Sequence, residues 1–484
     1  MRLRYRHQAT PATSEEGPRA ERLVPRQWPH RIASVGASAI LLAGVAAGCG
    51  GSSSSTSSAK SAGGGSSATL NIMGFGTNGD DVAQTRFAIA QKAIAPAKVS
   101  APNGGFNDQQ FLASVAGGNP PDLIYTDRYQ IGSLAARGAL EPLNSCISTQ
   151  HVAMSQFRPP AVQELTDNGQ VYGIPEFYDN RVIIVNNTAV KAAGLAPSDL
   201  GTTNWSNLAQ VTKKLVKASG GKLSEVGFDP KIPEFFPLWA KANGAELISS
   251  NGMHPQLDTP QVIQALTYAV SLIKEQGGWN QFSAFRNTFN FFGADNEVAK
   301  NQLAAWPMED WYFNVLATTS PKVSITTMPV TSRTGQPLDW ETGSAWAIPK
   351  GAKNAKLACT WAKAMTATST WIAAASNRKA LYAKKHQYWT GLFTANIPAD
   401  AAIDKPTPGE PKQWVSSMDT VLKIEPDAFG MPASPASLEF ETAWTNAVTR
   451  VLQGQQTAQQ ALAQAQSEAQ AAISAASKGG AAPG

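Results

Sequence analysis

The sequence predicts an α/β protein built as two lobes that share one polypeptide. Three observations carry that expectation. At 484 residues the chain exceeds one average domain and suits two lobes. Its 43% apolar and 15% charged residues describe a globular chain. Short apolar or β-branched runs alternate with stretches of helical spacing, the pattern of βαβ units and a parallel sheet.

The elements follow in order from residue 69. Residues 68–73 read as a first strand that ends in the Gly-rich turn 74–79. Residues 80–95 follow as a helix whose acidic first turn suits its dipole. The run 121–125 is a second strand, followed by a helix over 129–137. Val182-Ile183-Ile184-Val185 is a β-branched run of the kind buried on both faces. Helical apolar spacing recurs over 208–218, 259–275 and 355–375. The tail 437–477, rich in Ala, Gln and Leu, reads as a long helical region that breaks at Gly454.

The start of the chain is of another kind. Arg22, Arg26 and Arg31 precede an apolar stretch over 32–47 that meets Gly48-Cys49. A basic segment, a short apolar segment and small residues make up a secretory signal, expected over 1–48. The apolar stretch, at roughly 15 residues, is short for a bilayer span. Ala46-Ala47-Gly48-Cys49 resembles a bacterial lipobox, with Ala where Leu is usual. Cys49 is therefore the expected lipidation site, holding the protein on the outer face of the membrane without a spanning helix. Gly, Ser and Ala dominate 50–68, a composition that buries nothing and suits a tether over 49–68.

Charge and cysteine content bound the function. Seven Arg and three Glu stand before Cys49, so four of the five excess positive charges belong to the leader. The rest is close to neutral and carries no basic stripe, which disfavours nucleic acid as a partner. Cys146 and Cys359 are the remaining thiols; in an exported chain they form a disulfide or sit as two small buried residues. Their spacing matches no metal site, and no cofactor is expected.

Several short motifs then appear in a fixed order. They are Pro121-Asp122-Leu123-Ile124, Gly138-Ala139-Leu140-Glu141-Pro142-Leu143, and Val171-Tyr172-Gly173-Ile174-Pro175 with Asn186. Ala193-Gly194-Leu195, Asn204-Trp205, residues 343–350 (GSAWAIPK) and Val451-Leu452-Gln453-Gly454 follow. In this order they resemble bacterial extracellular solute-binding proteins of family 1, the maltose- and trehalose-type receptors of ABC importers. The resemblance spans about residues 70–473. It implies a two-lobed periplasmic-binding-protein-like fold of type II, with a hinge between the lobes and a ligand cleft. The lobes are expected as 69–177 with 319–375, and 178–318 with 376–484. A monomer that hands a sugar, an oligosaccharide or disaccharide, to membrane permease subunits is the implied partner relationship.

The resemblance also implies site residues. Asp127-Arg128 matches the pair with which maltose-type receptors hold sugar hydroxyls. Asp179 falls where those receptors place a sugar-binding carboxylate, and Tyr178 beside it can stack or donate. Trp311 occupies the place of a sugar-stacking Trp, although Glu309-Asp310 stand where the family has a Gly, which adds carboxylates. Trp340, with Glu341, and Asn78 and Asp80 after the first strand complete the expected set. Sugar recognition needs this mixture, because hydroxyls take carboxylate and guanidinium partners while the apolar sugar face takes an aromatic plate.

Two rival classes are open. A glycoside hydrolase also sets carboxylates and aromatics in a cleft, but no Gly-x-Ser-x-Gly or His-Glu-x-x-His motif is present, so an enzyme is not expected. The same fold could take a polyol, a polyamine or a glycerol phosphodiester; carboxylates beside Trp311 suit a cation.

Overall fold

The computed structural model describes residues 68–479. The expected signal segment, Cys49 and the tether up to residue 67 lie outside the described residues. No described helix is long and apolar enough to cross a membrane.

Fourteen strands are described. The first seven are β1 (Thr69–Met73), β2 (Lys98–Ser100), β3 (Leu123–Asp127), β4 (Thr166–Asp167), β5 (Gln170–Val171), β6 (Ile174–Pro175) and β7 (Arg181–Asn186). The others are β8 (Lys217–Ser219), β9 (Lys222–Phe228), β10 (Leu303–Glu309), β11 (Ile325–Thr331), β12 (Pro337–Trp340), β13 (Ser344–Ala347) and β14 (Ala428–Phe429). They form a five-stranded sheet ordered β2-β1-β3-β13-β6, a seven-stranded sheet ordered β14-β12-β11-β7-β10-β9-β8, and the small pair β4-β5.

The expected α/β class holds, but neither large sheet is all parallel. In the first, β1 runs parallel to β2 and β3, while β13 lies antiparallel to β3 and β6. In the second, β7 lies antiparallel to both β10 and β11, and β9 runs parallel to β10. Every residue of β7 is buried, as its β-branched run predicts for a central strand. One large apolar core surrounds the seven-stranded sheet, and two smaller clusters pack on the five-stranded one.

Helices cover the sheets where the periodicity places them. Asp81–Ala93 starts at Asp80, whose carboxylate accepts the Ala83 N–H at 2.7 Å. The stretch read as one helix over 355–375 is two, Ala355–Thr366 and Thr368–Lys385, broken at the extended Ala367. The tail forms Ser437–Leu452 and Ala458–Gly479, separated at Gly454, whose φ of +71° is cheap for glycine. Cys146 and Cys359 are joined by a disulfide across 213 positions, tying the helix Asn144–Thr149 to Ala355–Thr366.

The chain passes between the two sheets more than once. Residues 176–180 lead from β6 to β7, and residues 341–343 lead back from β12 to β13. This corrects the expectation that residues 319–375 all belong with the first sheet. β11 and β12 pair in the seven-stranded sheet, and the return comes at Ser344. A third segment runs beside the first pass: Thr394 bridges Phe177, and Asn396 bridges Phe157. The two passes between sheets are themselves paired, with the Asp179 N–H donating to the Thr342 carbonyl at 2.8 Å.

Candidate functional site

Residue types at the crossings follow from a simple requirement. Extended backbone that runs between two cores must have its polar groups and any buried charges satisfied. Four arginines do this. Arg86 pairs with Glu176 at 2.8 Å and lies 3.9 Å over the Trp371 ring. Arg128 donates to Glu164 at 2.6 Å, to Glu341, and to the Phe177 carbonyl. Arg158 pairs with Asp400 at 2.8 Å and Glu425 at 2.6 Å. Arg181 donates to the carbonyls of Asp179 and Trp340 at 2.7 and 2.9 Å, to Thr342 at 2.8 Å and to Glu309 at 2.9 Å. Gly343 makes room for this: a Cβ there would collide with the Phe177 carbonyl and Arg128 Nη1.

Three of the expected ligand contacts therefore lie beneath the site. Arg128 is 1% exposed, and its guanidinium is enclosed by two carboxylates and a carbonyl. Tyr178 is fully buried, with Arg128 and Arg158 against its ring. Trp340 is buried, with Arg181 4.7 Å from its ring on one side and Phe235 edge-on at 6.0 Å. The direct contacts expected of these three are corrected to support. Burial removes them from a solute, while their charge and rings fix the crossing segments.

The others stay near the surface of the crossing. Asp179 is half-buried, and its carboxylate has no hydrogen-bond partner among the described residues. Burial first, and then the charge of Glu309, push it up to about 7, against the opposing pull of Arg181 and Arg128. Glu309, also half-buried, accepts the Trp311 indole N–H at 3.1 Å with the oxygen that Arg181 leaves open. Trp311 is half-buried, stacks on Phe292 at 6.0 Å, and sits at the start of the helix Tyr312–Thr319. Next to it, Asp310 is buried and accepts both the backbone and side-chain N–H of Asn180, at 3.0 and 2.8 Å.

Asp127 is exposed at the end of β3, opposite Ser344, and its charge acts on Asp179. Asp127, Asp179, Glu309 and Trp311 are thus brought to one region by β3, the first crossing and β10. Asp80 stands apart from them, capping its helix and paired with Arg378 at 2.6 Å. Asn78 is half-buried in the turn after β1, with a φ of +40°.

Sequence reasoning missed Arg158, Arg181, Glu164, Asp400 and Glu425. A charged residue opening a β-branched run, as Arg181 does, is the one available signal, because a buried guanidinium needs a partner. The partners lie up to 267 positions away, beyond any local pattern. Two surface concavities avoid these residues: one of about 460 Å³ lined by His151, Lys363 and Ile372 among others, and one of about 330 Å³ beside Gly76 and Thr77. No group of three His, Cys, Asp or Glu among the described residues is arranged to hold a metal ion.

Two α/β lobes joined by paired crossings, with carboxylates and an indole at the joint, have the architecture of the type II periplasmic-binding-protein fold. The chain belongs to the bacterial extracellular solute-binding protein family, whose model matches residues 97–370. The arabinooligosaccharide-binding protein of Bacillus subtilis (strain 168) is 22% identical over 267 residues, 53% of this chain and 58% of that protein. The chain thus spans somewhat over half the length of that relative. Among solved structures, CpMnBP1 with mannotriose bound has a TM-score of 0.68 at 24% identity, covering 83% of this chain and all of that one. The maltose/maltodextrin-binding domain MalE of Bdellovibrio bacteriovorus, bound to maltotriose, has a TM-score of 0.63 at 19% identity, covering 84% of this chain and all of that one.

Proposed function

We propose that this protein is the extracytoplasmic receptor of an ABC importer, that it captures an oligosaccharide or disaccharide, and that it delivers the sugar to the permease. The observation that carries this reading is the Asp179 carboxylate, half-buried and unbonded at the crossing, near Glu309, which in turn holds Trp311. A carboxylate accepts sugar hydroxyls and an indole face covers the apolar side of the ring. Of the proteins named above, one binds arabinooligosaccharides, one holds mannotriose and one is a maltose/maltodextrin-binding domain holding maltotriose, which supports the same class of ligand. Family membership supports binding without turnover.

In this reading one lobe carries β1–β6 and β13, and the other carries β7–β12 and β14. The passes 176–180 and 341–343 form the hinge, and their closure presents a changed surface to the permease. The leader 1–48 is removed, and Cys49 carries the lipid that holds the receptor at the outer membrane face. Labelling with a radioactive fatty acid, lost on Cys49→Ser, tests the anchor.

A thermal-shift screen over di- and trisaccharides tests the ligand class, since a ligand that binds only the folded state raises its stability by mass action. Release of reducing ends during the same incubation would make the protein a hydrolase and refute the receptor reading. A solute with a basic nitrogen is the second reading. Three carboxylates, Asp127, Asp179 and Glu309, gather in this region, and their negative charge suits a cationic solute. Polyamines in the same screen separate the two.

A further inference from the structure

Asp80 and Asp81 stand just past the end of β1, and both are held by one guanidinium, that of Arg378 on the helix Thr368–Lys385. Its Nη2 donates to Asp80 at 2.6 Å and to Asp81 at 2.8 Å, and its Nε donates to Asp81 at 3.0 and 3.1 Å. Nη1 has no partner among the described residues, although the side chain is nine-tenths buried. Four residues on, and so on the same helix face, Tyr382 lies with its ring 5.9 Å from that guanidinium. Its hydroxyl donates to Asn314 at 2.6 Å. The Asn314 backbone N–H donates in turn to the Trp311 carbonyl at 3.1 Å.

The path Asp80–Arg378–Tyr382–Asn314–Trp311 therefore joins the end of β1 in the five-stranded sheet to the end of β10 in the seven-stranded sheet. It uses none of the crossing segments. Ligands of open α/β sheets bind outside the carboxyl ends of strands, and this path spans two such ends. Arg128, the guanidinium expected to meet the ligand, is enclosed by Glu164 and Glu341. Arg378 keeps one N–H group without a partner beside a carboxylate, Asp80, whose side chain is 27% exposed. A vicinal diol presents one donor and one acceptor in the spacing that such a pair meets.

We propose that Arg378 and Tyr382 form an outer wall of the ligand site. Arg378 Nη1 donates to one hydroxyl of a diol while Asp80 accepts from the next, and Tyr382 holds this wall to the helix that follows Trp311. The proposal rests on the sugar-receptor reading above and names its second group of contacts.

The test has one arm with sugar and one without. Wild type, R378K and Y382F are titrated calorimetrically with mannotriose and with maltotriose. R378K keeps the charge beside Asp80 and Asp81 but has one nitrogen where arginine has three, so it unfolds at a somewhat lower temperature, stays folded at the titration temperature and weakens binding at least tenfold. Y382F weakens binding about threefold and, in the sugar-free protein, raises the radius of gyration measured by small-angle X-ray scattering. R378K that is folded and binds as tightly as wild type overturns the proposal. So does a Y382F protein with the wild-type radius. If wild type takes neither sugar, the oligosaccharide reading fails by itself, and the scattering of Y382F still decides whether the wall joins the two lobes.

Discussion

The indole N–H of Trp311 donates to one oxygen of Glu309 at 3.1 Å, while the other oxygen of Glu309 accepts from Arg181 at 2.9 Å. The aromatic plate is thereby coupled to the guanidinium that ties the first crossing to the second, through the carbonyls of Asp179 and Trp340. In the proposed reading, a ligand that orders Trp311 acts on the crossings through a single carboxylate, Glu309. Trp311→Ala should weaken sugar binding about 10- to 100-fold, or ~1.4–2.8 kcal/mol, with the fold intact by circular dichroism. Glu309→Ala, which frees the indole without removing it, should produce a smaller loss of affinity, measured by the same titration.

Asp179 gives binding a pH dependence of defined sign. Its carboxyl is pushed up to about 7, so it is largely protonated at pH 5.5 and largely ionised at pH 8. Sugar hydroxyls donate to the ionised form, so affinity should rise about tenfold between those values, the linkage expected of a proton lost on binding. Asp179→Asn should flatten the profile and hold it at the weaker limit. A wild-type affinity that is level from pH 5.5 to 8 would contradict this role.

Stability should run the opposite way. Burial raises Asp339 to about 7, Asp400 to about 6, Glu425 to about 8 and Glu441 to about 7. A carboxyl whose folded value lies above its unfolded value of about 4 binds more protons in the folded state. Its stabilising effect is complete below pH 4 and is lost as pH rises through 6 to 8. The sugar-free protein should therefore unfold at a higher temperature at pH 5.5 than at pH 8. Scanning calorimetry at the two values measures it.

Arg128 should behave as a structural residue. Its removal leaves Glu164 and Glu341 buried without their cation, a loss of about 3–5 kcal/mol for a broken buried pair. Arg128→Ala should lower the denaturation midpoint strongly. Replacement by Lys should restore part of the stability but not the three-way geometry. An Arg128→Ala protein of native stability with abolished binding would return this residue to direct ligand contact.

How far the sequence was legible depended on the distance over which each feature is determined. β7 was visible because burial on both faces writes itself as a local apolar run, β3 because most of it is buried, and β1 through its alternation of exposed and buried positions. The pairing of β7 with β10 and β11 was not, since it joins residues more than a hundred positions apart. Ile325–Thr331 mixes apolar and polar residues without a clean period and suits either sheet, which is why the return at Ser344 was misplaced. Short motifs pointed to Asp179, Glu309 and Trp311, and the fold brings these three to one region. Arg128 was found for the wrong role, because Glu164 and Glu341 stand 36 and 213 positions away. Arg378 was not found at all. It lies in a helix that reads as plain cover, and its partners at Asp80 and Asp81 are nearly 300 positions earlier.

The central claim is that Asp179, Glu309 and Trp311 form the contact surface for a sugar at the hinge. Calorimetric titration of the purified protein with a panel of malto-, manno- and arabino-oligosaccharides at pH 8 tests it most directly. The predicted result is saturable one-to-one binding of at least one sugar, lost on Trp311→Ala and weakened on Asp179→Asn. Binding that survives both substitutions unchanged, or no binding across the panel with tight uptake of a polyamine, would contradict it.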